Sequence, residues 1–201
     1  MPRRSVKRMG KRMMRRAVLA FSVRNRTRKA ALIARFMDEH AVRSVIFVGC
    51  SPGRNPNEAI VESAVARQAR VLAACDVIAC RGLPWPFLQA DGRQLPFAQA
   101  AVDMVLANAV VEHVGDRDDQ RRFVAEQGRV GRTWVITTPN RWFPVESHTS
   151  ALFAHWSARW RAGRPEFTRL LSRREFRELL PPEAVVLGRP WSATFVAFYA
   201  G

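Results

Sequence analysis

Short apolar runs recur through the chain, and they constrain its fold more than any other feature. The runs are short, and several end at glycine, proline or a polar residue. Continuous apolar runs of this length are typical of parallel strands buried on both faces. The runs are Ser44–Gly49, Val71–Cys75, Phe87–Ala90, Val102–Val110 and Thr133–Thr138.

Segments with helical spacing of apolar residues lie between these runs, and this alternation predicts the fold class. We expect an α/β domain with a Rossmann-like, mostly parallel sheet and helices on both faces. Two final runs, Glu183–Leu187 and Ala193–Tyr199, are joined by a turn and predict an antiparallel pair at the C-terminal edge. Asp116 and Ser172 stand where each would cap a helix.

Polar residues gather directly after the predicted strands, where open α/β sheets bind their ligands. The first strand ends in a turn that contains Gly49 and Gly53, followed by a helix start at Asn55. Such a turn lets a ligand approach bare backbone and the free N–H groups of a helix. Asp76 ends the second strand, where a carboxylate can hold a ribose diol.

The segment between the second and third strands is too short and too rich in breakers for a full crossover helix. Residues 77–86 contain a glycine and two prolines. We therefore expect a shortened or irregular connection there.

Five motifs occur in the order expected of one family. They resemble the motifs of class I S-adenosylmethionine-dependent methyltransferases, and most nearly those of the type 11 domain. The motifs span Ser44 to Thr149: VIFVGCSPG, the strand-end Asp76, QADGRQLPF, VDMVLANAVVEHV and VITTPNRWFPVESHT. The resemblance implies S-adenosyl-L-methionine as cofactor and methyl transfer as the reaction.

The resemblance also implies a role for each motif in binding the cofactor. The glycine turn would contact the methionine part, and two strand-end acids would hold the ribose hydroxyls and the adenine amino group. A polar residue after the fourth strand would face the cofactor near the methyl group. The implied residues are Gly49, Ser51 and Gly53 in the turn, Asp76, Asp91 with Gly92, and Asn108 with Ala109.

Two positions depart from the family pattern. Phe47 stands where the family usually has an acid, and Ser51 replaces the middle glycine of the turn. They keep open an alternative function, a non-catalytic or weakly active methyltransferase-like binding module that is possibly associated with a membrane.

Two histidines on the expected site face are candidate catalytic residues. His113 and His148 both follow strands, and imidazole can take a proton from a hydroxyl or an amine near neutral pH. A structural hydrogen bond at a helix start is the alternative role for either one. The acceptor is not defined by these residues, and a small molecule, a lipid or a glycan intermediate all fit.

Positive charge is concentrated at the N-terminus. Residues 1–30 hold twelve lysines and arginines and no acid, and the first acidic residue is Asp38. We interpret residues 1–28 as a basic amphipathic arm and residues 29–201 as the domain. An anionic membrane surface is the favoured partner of the arm; a solvated arm without a partner, a nucleic acid and a mitochondrial presequence are the alternatives.

The remaining composition bears on location. No apolar run reaches the ~18 residues that span a bilayer, and no secretory signal pattern is present. The three cysteines are odd in number and lack metal-ligand spacing. A reduced, cytoplasmic protein, possibly peripheral at a membrane, is the expectation.

Overall fold

The computed structural model describes residues 3–50, 59–145, 153–157, 159 and 168–201. Seven strands form one sheet in the order β3-β2-β1-β4-β5-β7-β6. The first five strands are parallel, whereas β7 runs antiparallel to both β5 and β6. The strands are β1 Ser44–Val48, β2 Arg70–Asp76, β3 Phe87–Gln89, β4 Val102–Asn108, β5 Gly131–Pro139, β6 Val185–Leu187 and β7 Thr194–Ala200. The predicted mostly parallel sheet with a C-terminal antiparallel pair is confirmed.

Helices cover both faces of this sheet, as the sequence predicts. On one face, α1 (Arg3–Glu39) and α2 (Ile60–Ala66) pack on a core that includes Phe47 and Phe198. On the other face, α3 (Arg117–Val130) and α4 (Arg173–Arg177) pack around Trp134. Both cores consist of side chains that are almost fully buried, so apolar burial on each side holds the layers together.

The two predicted helix caps are present. The Asp116 carboxylate accepts hydrogen bonds from the backbone N–H groups of Asp118 and Asp119, each at 2.9 Å. Ser172 and Glu175 form a reciprocal capping box at the start of α4. These caps satisfy N–H groups that the first turn of a helix otherwise leaves without partners.

The connection from β2 to β3 contains no helix, which confirms the irregular connection predicted for residues 77–86. Trp85 instead folds back onto the sheet, with its ring edge-on to Phe47 at a centroid distance of 4.8 Å. Phe47 is almost fully buried in this contact. Phe47, one of the two departures from the resembled family pattern, is therefore part of the apolar core.

The helix α1 is continuous from Arg3 to Glu39 and therefore joins the basic arm to the start of the domain. Its last turns pack on the sheet through Ile33 and Phe36, while Asn25 donates a hydrogen bond to Thr194 at the start of β7. The helix therefore runs antiparallel to β1, and its N-terminal half extends past the carboxyl edge of the parallel strands. Residues 3–24 alone add about 33 Å at 1.5 Å per residue.

Candidate functional site

The glycine turn begins at the end of β1, where Gly49 has a φ of +75°. The Gly49 N–H donates to the Cys75 carbonyl at 2.8 Å, which links the turn to the end of β2. A Cβ at position 49 would overlap both methyl groups of Val110, beyond the end of β4. Glycine is required here for its conformation and for the close approach of these strand ends. Ser51 and Gly53 lie outside the described residues.

The two predicted nucleoside-binding acids both stand at strand ends. Asp76 is the last residue of β2, and its carboxylate accepts the Ile78 N–H at 2.9 Å. Asp91 lies two residues after β3 in a turn closed by the Gln94 N–H. Since β2 and β3 are adjacent and parallel, both carboxylates lie at the same edge of the sheet.

The Asp91 carboxylate already has a cationic partner. Arg93 donates to it through Nε at 3.0 Å and Nη2 at 2.6 Å, and this pairing lowers the pKa of Asp91. Arg93 also pairs with Asp119 on α3 at 2.8 Å. An adenine amino group that binds Asp91 must therefore share the carboxylate with Arg93 or displace it.

Gly92 is buried beneath this turn and fits closely against the core. Its carbonyl accepts a hydrogen bond from Gln127 Nε2 at 2.8 Å, and a Cβ would lie 2.5 Å from a ring carbon of Phe123. The same Cβ would lie 2.9 Å from a methyl of Val48. Close packing on α3 and β1 accounts for the glycine, and it fixes the backbone that carries Asp91.

The end of β4 carries a partly buried polar network centred on Asn108. The Asn108 carboxamide oxygen accepts from Lys29 Nζ at 2.6 Å and from Thr137 Oγ1 at 2.8 Å. Its Nδ2 donates to Glu62 Oε1 at 2.7 Å. Asn108 thus connects a lysine on α1 to a carboxylate on α2. Ala109 follows with a φ of +60° and donates to the Thr137 carbonyl at 3.0 Å.

Lys29 is the buried cation of this network. Burial lowers the pKa of Lys29 from 10.5 to about 8; Glu62 and Glu112 raise it in part, and Arg26 lowers it further. The ammonium group also lies 3.3 Å from Thr137 Oγ1. Charged groups are rarely buried without hydrogen bonds and compensating charge, and this site supplies both.

The candidate catalytic His113 lies in a short 3-10 helix, Val111–His113, just beyond β4. Its Nδ1 is 3.3 Å from Thr168 Oγ1. Glu112 beside it is buried, and its Oε2 accepts from Thr138 Oγ1 at 3.0 Å. His113 is therefore on the carboxyl edge of the sheet, as expected. His148 lies outside the described residues.

The polar residues that follow β5 hold the C-terminal part of the chain together. Asn140 Nδ2 donates to the carbonyls of Pro190 and Ser192 at 2.6 and 2.8 Å. Arg141 pairs with Glu175 of the α4 capping box at 3.0 Å. These contacts give Asn140 and Arg141 structural roles.

The buried thiols offer no nucleophile near neutral pH. Burial raises the pKa of Cys50 to about 12 and that of Cys75 to about 11. Within the described ranges, no three His, Cys, Asp or Glu residues are grouped as metal ligands. The polar groups gathered at the carboxyl edge are thus carboxylates, an amide, an ammonium and an imidazole.

Sequence reasoning missed Lys29 and Glu62. Lys29 entered only the count of cations in residues 1–30, although it precedes Ile33 by four residues and Phe36 by seven on the buried stripe of α1. That spacing on an apolar stripe was the available signal. Glu62 gave no signal, because a glutamate in the first turn of a helix is ordinary.

Comparison with known proteins agrees with this geometry. Residues 48–133 match the model of a family described as methyltransferase domain, type 11. This segment contains the end of β1, both strand-end acids, Asn108 and His113. No curated protein matches the chain.

Solved structures with the same fold include several methyltransferases. An S-adenosylmethionine-dependent methyltransferase from Clostridium acetobutylicum has a TM-score of 0.57 and 8% identity, with 86% of this chain and 91% of that chain covered. One from Archaeoglobus fulgidus has a TM-score of 0.56 and 12% identity, with 87% and 94% covered.

A third neighbour was solved with ligands. The Burkholderia thailandensis 1,6-didemethyltoxoflavin-N1-methyltransferase, with 1,6-didemethyltoxoflavin and S-adenosylhomocysteine bound, has a TM-score of 0.51 and 16% identity, covering 88% of this chain and 79% of that one. Identities this low describe the fold alone, whereas the family match concerns the motifs themselves. The matched segment and the shared fold make the chain similar to class I S-adenosylmethionine-dependent methyltransferases.

Proposed function

We propose that this protein binds S-adenosyl-L-methionine across the ends of β1, β2, β3 and β4 and transfers its methyl group to an acceptor. The supporting observation is the placement of Gly49, Asp76, Asp91 and Asn108 at the carboxyl ends of four neighbouring strands. This edge is where open α/β sheets bind nucleotides. A related fold in the toxoflavin enzyme holds S-adenosylhomocysteine, the demethylated product of the same cofactor.

The residues fit the chemical groups of this cofactor. Carboxylates can accept hydrogen bonds from ribose hydroxyls and from an exocyclic amino group. The sulfonium methyl is already activated, so the protein chiefly has to align an acceptor atom with it. His113 stands after β4 and is proposed as the base that removes a proton from the acceptor; His148 has the same proposed role.

Isothermal titration calorimetry with S-adenosylmethionine and S-adenosylhomocysteine tests this function directly. The enzyme should bind both ligands, with stoichiometry near one. A folded protein that binds neither would contradict the enzyme and favour the alternative, a methyltransferase-like module without cofactor. The burial of Phe47 in the core is the observation that favours that alternative.

Removing either nucleoside-binding acid should weaken cofactor binding without unfolding the protein. Asp76→Ala and Asp91→Ala each delete a charged hydrogen-bond acceptor worth about 1.5–3 kcal/mol. We therefore expect affinity for S-adenosylhomocysteine to fall roughly 10- to 150-fold in each variant. Calorimetry measures the affinity, and thermal unfolding checks the fold.

Asp118→Ala is the matched control for this experiment. Asp118 is an exposed carboxylate on α3 that pairs with Arg121. The Asp118→Ala substitution removes the same charge without changing a strand end, so the affinity for S-adenosylhomocysteine should not change. If Asp76→Ala and Asp91→Ala bind like the parent protein, the nucleoside site lies elsewhere.

The basic arm is proposed to attach the protein to an anionic membrane surface next to its site. No described helix is long and apolar enough to cross a membrane. The arm extends beyond the carboxyl edge, and Phe21 on it stacks on Phe143 at 5.4 Å. Each cation near an anionic surface contributes about 1 kcal/mol of attraction.

Exposed aromatic rings stand beside this contact. Trp142, Phe153 and Trp156 are 59%, 52% and 42% exposed, and the Phe153 and Trp156 rings meet at 4.9 Å. Aromatic rings of this kind favour the interface between water and lipid. A lipid acceptor would fit this arrangement, in which the site and the attachment surface share one edge. A cytoplasmic location is proposed because the three cysteines are free thiols, as in a reducing compartment.

Truncating the arm should abolish membrane attachment. A chain that begins at Thr27 lacks ten of the twelve N-terminal cations but keeps Lys29. The full chain should sediment with vesicles that contain phosphatidylserine, and less so as salt rises, whereas the shorter chain should stay in solution. Neutral vesicles serve as the control.

Equal sedimentation of the two chains, or equal binding to neutral and anionic vesicles, would contradict the membrane role. Retention of the full chain on single-stranded nucleic acid in place of vesicles would assign the arm to a nucleic-acid partner instead.

A further inference from the structure

Glu62 of α2 has a buried carboxylate oxygen that accepts no hydrogen bond from the described residues. Oε1 accepts from Asn108 Nδ2 at 2.7 Å. Oε2 is shielded from solvent, and no described residue hydrogen-bonds to it. A buried carboxylate oxygen without a donor is costly, so such an atom marks a place where a ligand donor belongs.

Glu62 lies close to Cys50, at the start of the glycine turn. The Cys50 thiol directly after Gly49 has its pKa raised to about 12, first by burial and next by the negative charge of Glu62. The carboxylate is also bonded to Asn108 at the end of the neighbouring strand β4. Glu62 therefore lies between the ends of β1 and β4, where the proposed cofactor site needs its methionine-binding end.

Strand β1 lacks the acid that the resembled family usually carries near this end of the cofactor. Phe47 occupies the usual position of that acid, and its ring is buried against Trp85. No other described carboxylate bonds to Asn108. A carboxylate delivered from α2 can thus take the place of one that β1 cannot supply.

We infer that Glu62 is a cofactor-binding residue whose Oε2 accepts a hydrogen bond from the ammonium group of the cofactor's amino-acid end. The inference rests on the proposed function, since it requires that the cofactor bind at this edge. Asn108 is then a positioning residue that fixes the Glu62 carboxylate, and Lys29 fixes Asn108 from the opposite side.

Three ligands separate this role from a structural one. S-adenosylhomocysteine carries the ammonium group, its analogue without the amino group lacks only that donor, and 5′-methylthioadenosine lacks the whole amino-acid end. Glu62→Gln keeps the shape of the side chain and its acceptor oxygen but removes the charge. We expect Glu62→Gln to weaken S-adenosylhomocysteine binding about 10- to 100-fold, as for loss of a charge-assisted hydrogen bond.

The same substitution should leave the affinities for the other two ligands within about twofold of the parent protein, because neither presents the ammonium group. Calorimetry with parent and variant against these ligands forms a double-mutant cycle between Glu62 and the amino group. Glu39→Gln, which removes an exposed carboxylate from α1, is the control and should bind all three ligands like the parent.

Unchanged S-adenosylhomocysteine binding by a folded Glu62→Gln protein would overturn the inference, as would an equal loss for all three ligands, which would show a general effect on the site. If the parent protein binds none of the ligands, the proposed function fails and takes this inference with it. If the parent binds and only the cycle shows no coupling, the proposed function stands and the role of Glu62 is refuted.

Discussion

Gly49→Ala should abolish measurable cofactor binding and destabilise the domain. An alanine at a φ of +75° costs about 1–2 kcal/mol. Its methyl group would also overlap the Val110 side chain, and overpacking in a close-packed site costs a further ~1–3 kcal/mol. To relieve this overlap, the end of β1 has to move away from the segment after β4. The cofactor is proposed to bind between these two segments, so its site would be distorted. We expect affinity for S-adenosylhomocysteine to fall at least 100-fold.

The double variant Gly49→Ala/Val110→Ala isolates the two causes. The smaller side chain removes the overlap but leaves the unfavourable backbone conformation. Chemical denaturation should therefore show a residual loss of about 1–2 kcal/mol in the free energy of unfolding when the double variant is compared with Val110→Ala alone, which carries the cost of the lost valine methyl groups. Wild-type stability in Gly49→Ala alone would show that the turn can rearrange without cost and that close approach does not require glycine at this position.

Lys29 should make the protein more stable as pH rises from about 8 to 10.5. Its pKa is about 8 in the folded protein and 10.5 in the unfolded chain. Between these values the unfolded chain binds a proton that the folded protein does not, so the free energy of unfolding increases with pH. The full gain from this one group is about 3 kcal/mol, and it is absent below pH 8.

Two variants at this position test the sign and the cause. Lys29→Met has no titrating group, so its stability should lack this rise. Lys29→Arg keeps a cation that cannot lose its proton, so it should be destabilised and should lack the rise as well. Differences from the parent cancel the contributions of other groups, apart from those of Glu62, Glu112 and Arg26, which interact directly with Lys29. Parallel pH profiles for parent and Lys29→Met, measured by urea denaturation, would contradict the buried titration.

The fold was predictable because its signals are local in sequence. Apolar runs that end at glycine or a polar residue predict the strands. Asp116 and Ser172 predict the starts of the helices that they cap. The missing helix before β3 followed from the two prolines and the glycine in residues 77–86. Each of these signals depends on neighbours within a few residues, which a single sequence displays.

The candidate site was predictable only in part, because its contacts join residues far apart in the chain. Gly49 and the strand-end acids carry a motif, but Lys29, Glu62 and Asn108 come from three separate elements. The bond from Lys29 to Asn108 spans 79 positions. Likewise, only the turn geometry shows that Arg93 already occupies the Asp91 carboxylate.

The unbroken helix α1 has a mechanical consequence. Lys29 lies within about the last three turns of the helix that carries the basic arm, so a tilt of the arm on a membrane surface would displace Lys29 and, through it, the Asn108 carboxamide. If surface attachment changed cofactor affinity by some factor, cofactor binding would change surface affinity by the same factor. The proposed cofactor site and the proposed attachment surface would then be coupled through one continuous helix.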